Sequence, residues 1–367
     1  MGSLLEPGSQ RAAGLVSDDA LVEAMVRVEA AWLRVLGLPG EVKAGALAPA
    51  DVEAAGNPVL PLVKSLEIEG AHRGLTSQDV LDTALMLVAR DAVGRMVVEL
   101  GRVADSLAGL ASEHRGSVMV GRTLTQYAVP VTFGLKAAQW LTGVLDAGDA
   151  LRALTFPVQC GGAAGTLALV GQLRPDPIAA AQALAGELGL AATDLSWHTR
   201  RTPVTRLGDA LVETCDALGH LAGDVLLLGR PEVGEVTDTS AGGSSTMPHK
   251  RNPVLSVLVR SAALQAPQLG AQLHLCAASA EDERSAGAWH AEWPALRRLL
   301  ELTLTASSQA ADLVAGLAVH ADVMRRRAES VADDLLSERG TSGDPASYLG
   351  AAGELVDLVL ARWEKTS

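Results

Sequence analysis

Between Gly242 and Val254 the sequence reads GGSSTMPHKRNPV, with two glycines and two serines followed by His249, Lys250, Arg251 and Asn252. Glycine permits backbone movement and close approach. The residues after Met247-Pro248 concentrate cationic and amide donors in a chain that is otherwise acidic. Such a pairing suits proton transfer at a carbon beside a carboxylate. That reaction passes through an aci-carboxylate with extra negative charge, and donors aimed at a developing oxyanion supply one of the largest contributions to catalysis. Lys250 and Asn252, with backbone amides of the loop, suit that task. A serine hydroxyl is a poor base unless nearby cations and amides stabilise its alkoxide, a condition that Lys250 helps to meet. Flexible glycines let such a loop close over substrate and exclude water, which strengthens each charge interaction. A solvated basic turn needs no such density of polar groups.

Three further non-helical stretches could carry binding groups. GNPVLPLVKSLEIEGAHRGLTSQDVLDTA breaks at Pro58 and Pro61 and sets Thr76-Ser77-Gln78-Asp79 ahead of a long apolar-periodic run. Ser or Thr at a helix start satisfies orphan amides, and the same place attracts carboxylates. Taken alone, this segment is a cap before it is a substrate site. GRTLTQYAVPVTFGLK places Arg122, Thr123, Thr125 and Gln126 before Pro130 and another expected helix, and capping explains it equally well. FPVQCGGAAGT, Phe156 to Thr166, has three glycines that suggest close backbone approach. No Gly-Lys-Ser/Thr follows it and no βαβ unit hosts it, which excludes a P-loop and a dinucleotide fingerprint. We assign it to loop packing near the site.

The elements that must position these residues are helices. Apolar residues recur every three or four positions in DDALVEAMVRVEAAWLRVLG, where Val22, Met25, Val26, Val28, Trp32, Leu33 and Leu36 form one stripe. The same period runs through residues 78–110, 129–155, 177–188, 204–228, 253–277 and 293–317. Aromatic residues are only 3% of the chain, so Leu, Ala and Val do most of the packing, as in long helices lying side by side. The expected fold class is all-α with a central bundle of long helices. Stretches such as LVETCDALGHLAGDVLLLG are apolar on more than one face. A face without a partner in its own chain finds one in another, which favours an oligomer over a single large monomer.

Bulk properties narrow the function classes. With 367 residues and 48% hydrophobic composition the chain can bury a large core. A formal net charge of -13 repels phosphate backbones and anionic lipid, so neither nucleic acid nor a membrane is expected as a partner. No run reaches the ~18 consecutive apolar residues of a spanning helix, and MGSLLEPGS lacks the features of a signal peptide. Glu6 stands where a myristoylation signal has Ser or Thr. Cys160, Cys215 and Cys276 are odd in number and widely spaced, as reduced thiols of a cytoplasmic protein are. No histidine or cysteine pair has zinc spacing, so no metal is expected.

GGSSTMPHKRNP resembles the signature loop of the fumarase/aspartase superfamily. HRGLTSQDVLDTA is similar to that superfamily's first shared region and GRTLTQYAVPVTFGLK to its second, in the same order. Within the superfamily, GNPVLPLVKSL, SWHTRR, EVGEV and DERSAGAWHAEW look like the bacterial 3-carboxy-cis,cis-muconate cycloisomerases and less like adenylosuccinate lyase. The likeness covers most of the chain. It implies three helical domains, placed at 1–105, 106–315 with the loop at 242–254, and 316–367. It also implies a homotetramer around a central bundle, with each active site drawn from three chains, and no cofactor. By position Ser244 becomes the proton-transfer residue, and Lys250 and Asn252 bind and polarise a carboxylate. Thr76, Ser77 and Thr123 become carboxylate-binding residues, joined as substrate contacts by Arg122, Gln126, Ser245 and Met247, with His72 and His198 at the site edge.

Two departures stand out. Leu124 replaces the catalytic histidine of adenylosuccinate and argininosuccinate lyases, which turns the reading away from those activities. The chain also passes quickly from HADVMRRRAESVADD to DPASYLGAAGELVDLVL, so the third domain looks shortened. The implied reaction on a small polycarboxylate is intramolecular addition of a carboxylate of 3-carboxy-cis,cis-muconate to its conjugated double bond, with Ser244 supplying the proton. Two alternatives stay open: a related β-elimination lyase acting on a substituted succinate, and a non-catalytic scaffold of the same fold. Retention of Ser244, Lys250 and Asn252 argues against the scaffold.

Overall fold

The computed structural model describes residues 4–12, 14–239, 242–243, 247 and 250–366. Its helices are α1 (Asp18–Leu36), α2 (Pro49–Ala55), α3 (Val59–Leu66), α4 (Ser77–Glu113), α5 (Phe133–Arg152), α6 (Val170–Leu173), α7 (Pro177–Leu188), α8 (Thr202–Leu228), α9 (Val254–Ala278), α10 (Ala288–Ala315), α11 (Ala321–Ser330), α12 (Ala332–Leu336) and α13 (Ala352–Glu364). The strands are short: β1 (Val118–Thr123), β2 (Gln126–Thr132), β3 (Val236–Asp238), β4 (Gly242–Gly243), β5 (Arg251–Asn252) and β6 (Leu317–Val319). They pair only as β1–β2, β3–β6 and β4–β5, all antiparallel. The fold class is all-α, as expected. Among the described residues no helix is long and apolar enough to cross a membrane.

Helix α1 shows how local chemistry sets these elements. The Ser17 hydroxyl accepts the N–H of Ala20 at 3.1 Å, and Asp18 and Asp19 occupy the positive first turn. Gly37, at φ 79°, closes the helix by donating back to Leu33 and Arg34, a left-handed cap that suits glycine. Met25, Val28, Trp32 and Leu33 of the predicted stripe are buried. So is Glu29, a charge that the periodicity did not anticipate.

The region after residue 117 departs from expectation. A helix was expected from Val129, but Gln126–Thr132 forms β2 and α5 begins only at Phe133. Pro130 has no N–H for a helical ladder, and Val129, Val131 and Thr132 are β-branched, which favours a pleated chain. The register slips between Val120 and Arg122, and a Cβ on Gly121 would sit 2.4 Å from the Val129 carbonyl oxygen. Glycine is therefore required at that bulge.

Two compact units make up the chain. The first comprises Met1–Arg95, Ala153–Leu211 and Pro267–Leu304. In it α1 packs against α7, with Arg34 and Glu187 bonded at 2.7 Å. The second comprises Met96–Arg152, Val212–Ala266 and Thr305–Ser367. There Val118 and Val120 of β1 share a core with Ala328 of α11 and Leu335 of α12, and α13 lies on α5, with Arg362 reaching Asp146 at 2.7 Å and Asp149 at 2.8 Å.

Candidate active site

In the first unit the start of α4 is tied together by one carboxylate. Asp79 is fully buried. Its Oδ2 accepts the N–H of Thr76 and of Gly162, each at 2.9 Å. Its Oδ1 accepts the N–H of Gly161 at 2.9 Å and pairs with His198 Nε2 at 2.8 Å. The bond to Thr76 is half of a capping box, three residues into the helix, where the dipole also favours negative charge. The other bonds draw in the glycine loop and His198 and satisfy a charge that would be costly to bury alone. A Cβ on Gly161 would lie 2.6 Å from Ser196 Cβ and 2.8 Å from His198 Cε1, so this loop closes only with glycine. Burial and the Asp79 charge push the Cys160 thiol beside it well above the usual range, which disfavours the thiolate that a nucleophile needs.

The loop leading to Thr76 is held from α1. Glu29 accepts the His72 N–H at 2.9 Å and meets His72 Nδ1 at 2.8 Å, while Trp32 Nε1 donates to the Arg73 carbonyl at 2.9 Å. Glu29 and Trp32 are three residues apart and share a helix face. They hold His72 at φ 61°, a left-handed conformation unusual for a non-glycine residue. The Thr76 hydroxyl accepts from Arg284 Nη2 at 2.5 Å, and Ser77 is half-buried.

One turn along α4, Asp82 begins a second buried cluster. Arg201 donates Nη1 and Nη2 to the two Asp82 oxygens at 2.7 and 3.0 Å, and Nε and Nη2 to Glu292. Trp289 Nε1 adds a bond to Asp82 at 2.9 Å, and the Trp197 ring lies 4.7 Å from the guanidinium. Burial opposes the Arg201 charge, but Asp82 and Glu292 outweigh it and hold the guanidinium above its ordinary pKa. Burial raises the Glu292 carboxyl, with Arg201 pulling the other way. Removing one partner from such a cluster leaves an uncompensated buried charge.

The second unit holds the other expected residues. Arg122 on β1 donates Nη2 and Nη1 to Glu235 at 2.8 and 3.2 Å, and Arg327 donates to the same buried carboxylate at 2.6 Å. The Arg122 guanidinium is thus engaged in holding the hairpin. Thr123 and Gln126 pair across the hairpin end, both exposed, and the tip residues Leu124 and Thr125 have φ of 48° and 70°. A cavity of about 550 Å³ beside this hairpin is lined in part by Arg122, Thr123, Lys136, Asp224 and Arg230. Gly242 and Gly243 pair with Asn252 and Arg251, which holds the two ends of the signature loop side by side. Lys250 and Met247 are exposed, Asn252 is half-buried, and the Lys250 N–H donates to the Met247 carbonyl at 2.9 Å. Ser244 and Ser245 lie outside the described residues.

The expected residues thus fall into two sets. Thr76 and His198 are joined through Asp79, and His72 precedes them in the loop anchored by α1. Arg122, Thr123, Gln126, Met247, Lys250 and Asn252 belong to the second unit. Sequence reasoning missed Asp79, Glu29 and Arg284. The Thr76-to-Asp79 spacing was a usable signal for the first, and Glu29 was visible as a charge inside an apolar stripe. Arg284 lies within DERSAGAWHAEW, a stretch noted for its resemblance, but its residue types alone assign it no role.

The chain is similar to known proteins in sequence and in fold. The lyase family model matches residues 51–267. Nitrosuccinate lyase of Streptomyces davaonensis is 45% identical over 361 residues, covering 88% of this chain and 76% of that protein. The 3-carboxy-cis,cis-muconate cycloisomerase of Pseudomonas aeruginosa is 40% identical over 342 residues, covering 84% of this chain and 74% of that protein. The crystal structure of the 3-carboxy-cis,cis-muconate lactonizing enzyme from Pseudomonas putida superposes with a TM-score of 0.85 at 30% identity, covering 97% of each chain. With the signature loop, the two shared regions and the helical fold in place, the chain belongs to the lyase family of the fumarase/aspartase superfamily.

Proposed function

We propose that the chain is a cofactor-independent lyase that eliminates a substituent from a substituted succinate, with nitrosuccinate as the leading substrate. The observation that carries this reading is the 45% identity to a nitrosuccinate lyase across 88% of the chain. Ser244, as its alkoxide, takes a proton from the carbon beside one carboxylate. The electron pair moves into that carboxylate, and Lys250, Asn252 and loop amides hold the resulting aci-carboxylate. The pair then returns to form the carbon–carbon double bond as nitrite leaves the neighbouring carbon. The products are fumarate and nitrite, and the proton passes from Ser244 to solvent. Stabilising the aci-carboxylate more than the substrate is what speeds the step.

A second reading is cycloisomerisation of 3-carboxy-cis,cis-muconate, favoured by relatives with that name at 37% and 40% identity. It passes through the same type of intermediate, an aci-carboxylate, here formed by carboxylate addition and discharged by a proton from Ser244. Both readings take the protein as a cytoplasmic homotetramer in which residues of the two sets act on one substrate through association of copies. Support comes from α9, where Val254, Val257, Leu264 and Leu275 are exposed large apolar residues. Their spacings of three, seven and eleven residues put them on one stripe.

The test is to incubate purified protein with nitrosuccinate and, separately, with 3-carboxy-cis,cis-muconate. Fumarate and nitrite appearing in equal amounts support the first reading. Loss of the diene absorbance without nitrite release from nitrosuccinate assigns the second. A folded protein that turns over neither substrate overturns both.

A further inference from the structure

The second unit gathers two site-bearing segments on one carboxylate. Glu235 is fully buried in the segment between α8 and β3. Arg122 of β1 gives it two bonds, and Arg327 of α11 gives it a third. Among the described residues neither guanidinium pairs with another carboxylate. Each also holds backbone. Arg122 Nη1 donates to the Val120 carbonyl at 3.2 Å, and its guanidinium lies 5.9 Å from the centre of the Tyr127 ring on β2. Arg327 donates to the carbonyls of Val233 and Glu232, each at 2.8 Å. One cation therefore grips both strands of the hairpin, and the other grips the turn that carries Glu235.

The hairpin needs such a hold. Its two-residue turn, Leu124-Thr125, has both residues at positive φ, a geometry that favours Asn-Gly over larger side chains. Turn chemistry alone does not fix the tip that presents Thr123, so the task falls to the base of the hairpin. Glu235 also fixes the entry to the signature loop. Its N–H donates to the Leu228 carbonyl at 2.9 Å, and its carbonyl accepts the His320 N–H at 3.0 Å. Strand β3 starts at the next residue and runs toward Gly242. Two cations sharing one carboxylate stay in place only while that charge is present, because neutralising it leaves them close together without a partner.

We infer that Glu235 and Arg327 are positioning residues. Through Arg122 they set the hairpin that presents Thr123, and through β3 they set the strand that enters the signature loop. Their action is indirect, since the charge of each is satisfied within the protein. The inference rests on the reading of this protein as a lyase of small polycarboxylates, and it goes further by giving α11 a part in placing the groups that act on them. A displacement of about 1 Å, caused far from the reacting atoms, can cost about 100-fold in rate.

The experiment measures kcat and KM for the wild type, Arg327→Gln, Arg327→Lys and Glu235→Gln, on whichever of nitrosuccinate and 3-carboxy-cis,cis-muconate the wild type turns over. Circular dichroism and native mass spectrometry give the folded, assembled fraction, and rates are expressed per folded chain. Arg327→Gln should lower kcat by about 10- to 100-fold with KM changed by less than about threefold, because substrate contacts survive while their alignment with the reacting atoms is lost. Arg327→Lys should recover part of kcat, since it keeps a cation for Glu235 but lacks the fork that also reaches two carbonyls. Glu235→Gln should lower kcat at least as far, and adding Arg327→Gln to it should lower it little more. Arg327→Gln keeps the Arg122–Glu235 pair, so it decides the matter where Glu235→Gln does not fold. Unchanged kcat per folded chain in Arg327→Gln, with only a lower melting temperature or a raised KM, overturns the inference and leaves the functional reading intact. A wild type that turns over neither substrate overturns that reading, and the inference with it.

Discussion

Asp79 and Lys250 have opposite surroundings. The carboxylate is fully buried and bonded to three backbone amides and one imidazole, whereas the ammonium is exposed and its residue is held by a backbone bond to Met247. The difference teaches what folding alone can prepare. Around Asp79, packing and hydrogen bonds fix the Thr76 turn, the glycine loop and His198 before any substrate arrives. That is preorganisation, and it lowers the cost of holding a ligand. Around Lys250 the described chain fixes the loop's ends through the β4–β5 pair, while the charge points into water. On the proposed mechanism that charge acquires its partner from the substrate.

Mutations sharpen this contrast, beginning with the chemistry. Ser244→Ala should lower turnover by about 10²- to 10⁴-fold, the range for a general acid–base group, with substrate affinity and oligomeric state retained. Steady-state kinetics with a binding measurement checks this, and activity above roughly a tenth of wild type removes Ser244 from the role.

Stability should separate the two regions next. Arg201→Met leaves Asp82 and Glu292 buried without their shared partner. Urea unfolding should show a loss of about 3–5 kcal/mol. Lys250→Met should stay within about 0.5 kcal/mol in the same assay, as for exposed substitutions. Its effect should be kinetic, lowering turnover and weakening substrate binding together. A raised KM with unchanged kcat would confine Lys250 to uniform binding.

The smallest effect expected is on pH dependence. Burial, with the Asp79 charge, raises the Cys160 thiol pKa in the folded protein. A raised folded value means the stability contribution is complete below the ordinary thiol value of about 8.5 and declines as pH rises above it, because only the unfolded chain ionises. The slope is about 1.4 kcal/mol per pH unit. That slope is reached only well above the ordinary thiol value, so Cys160→Ala should remove about 1 kcal/mol in total of the alkaline decline in unfolding free energy between pH 8 and 9.5.

How far the sequence led depends on whether the information was local. The span 177–188 was placed correctly because Asp176 caps it, Pro177 opens it and Gly189 closes it. The β1–β2 hairpin was not foreseen, since Arg122-Thr123 and Gln126 read equally as the approach to a helix, and only pairing with a partner strand decides. The cap and the ligand reading of Thr76 both have a physical basis. Asp79 caps its N–H, while its hydroxyl goes to Arg284, 208 residues away in sequence. Asp79's other partners come from more than 80 residues away, and no local spacing encodes contacts at that range.

The central claim is that the Thr76 set and the Ser244 loop serve one reaction through association of copies. Co-expressing Ser244→Ala with Thr76→Val, each inactive alone, tests it most directly, with mixing verified by native mass spectrometry. Activity should return in the mixed tetramers, because some sites then receive an intact Thr76 from one copy and an intact Ser244 from another. Verified mixed tetramers that stay as inactive as the parents, or a wild-type protein that is monomeric in solution, would contradict it.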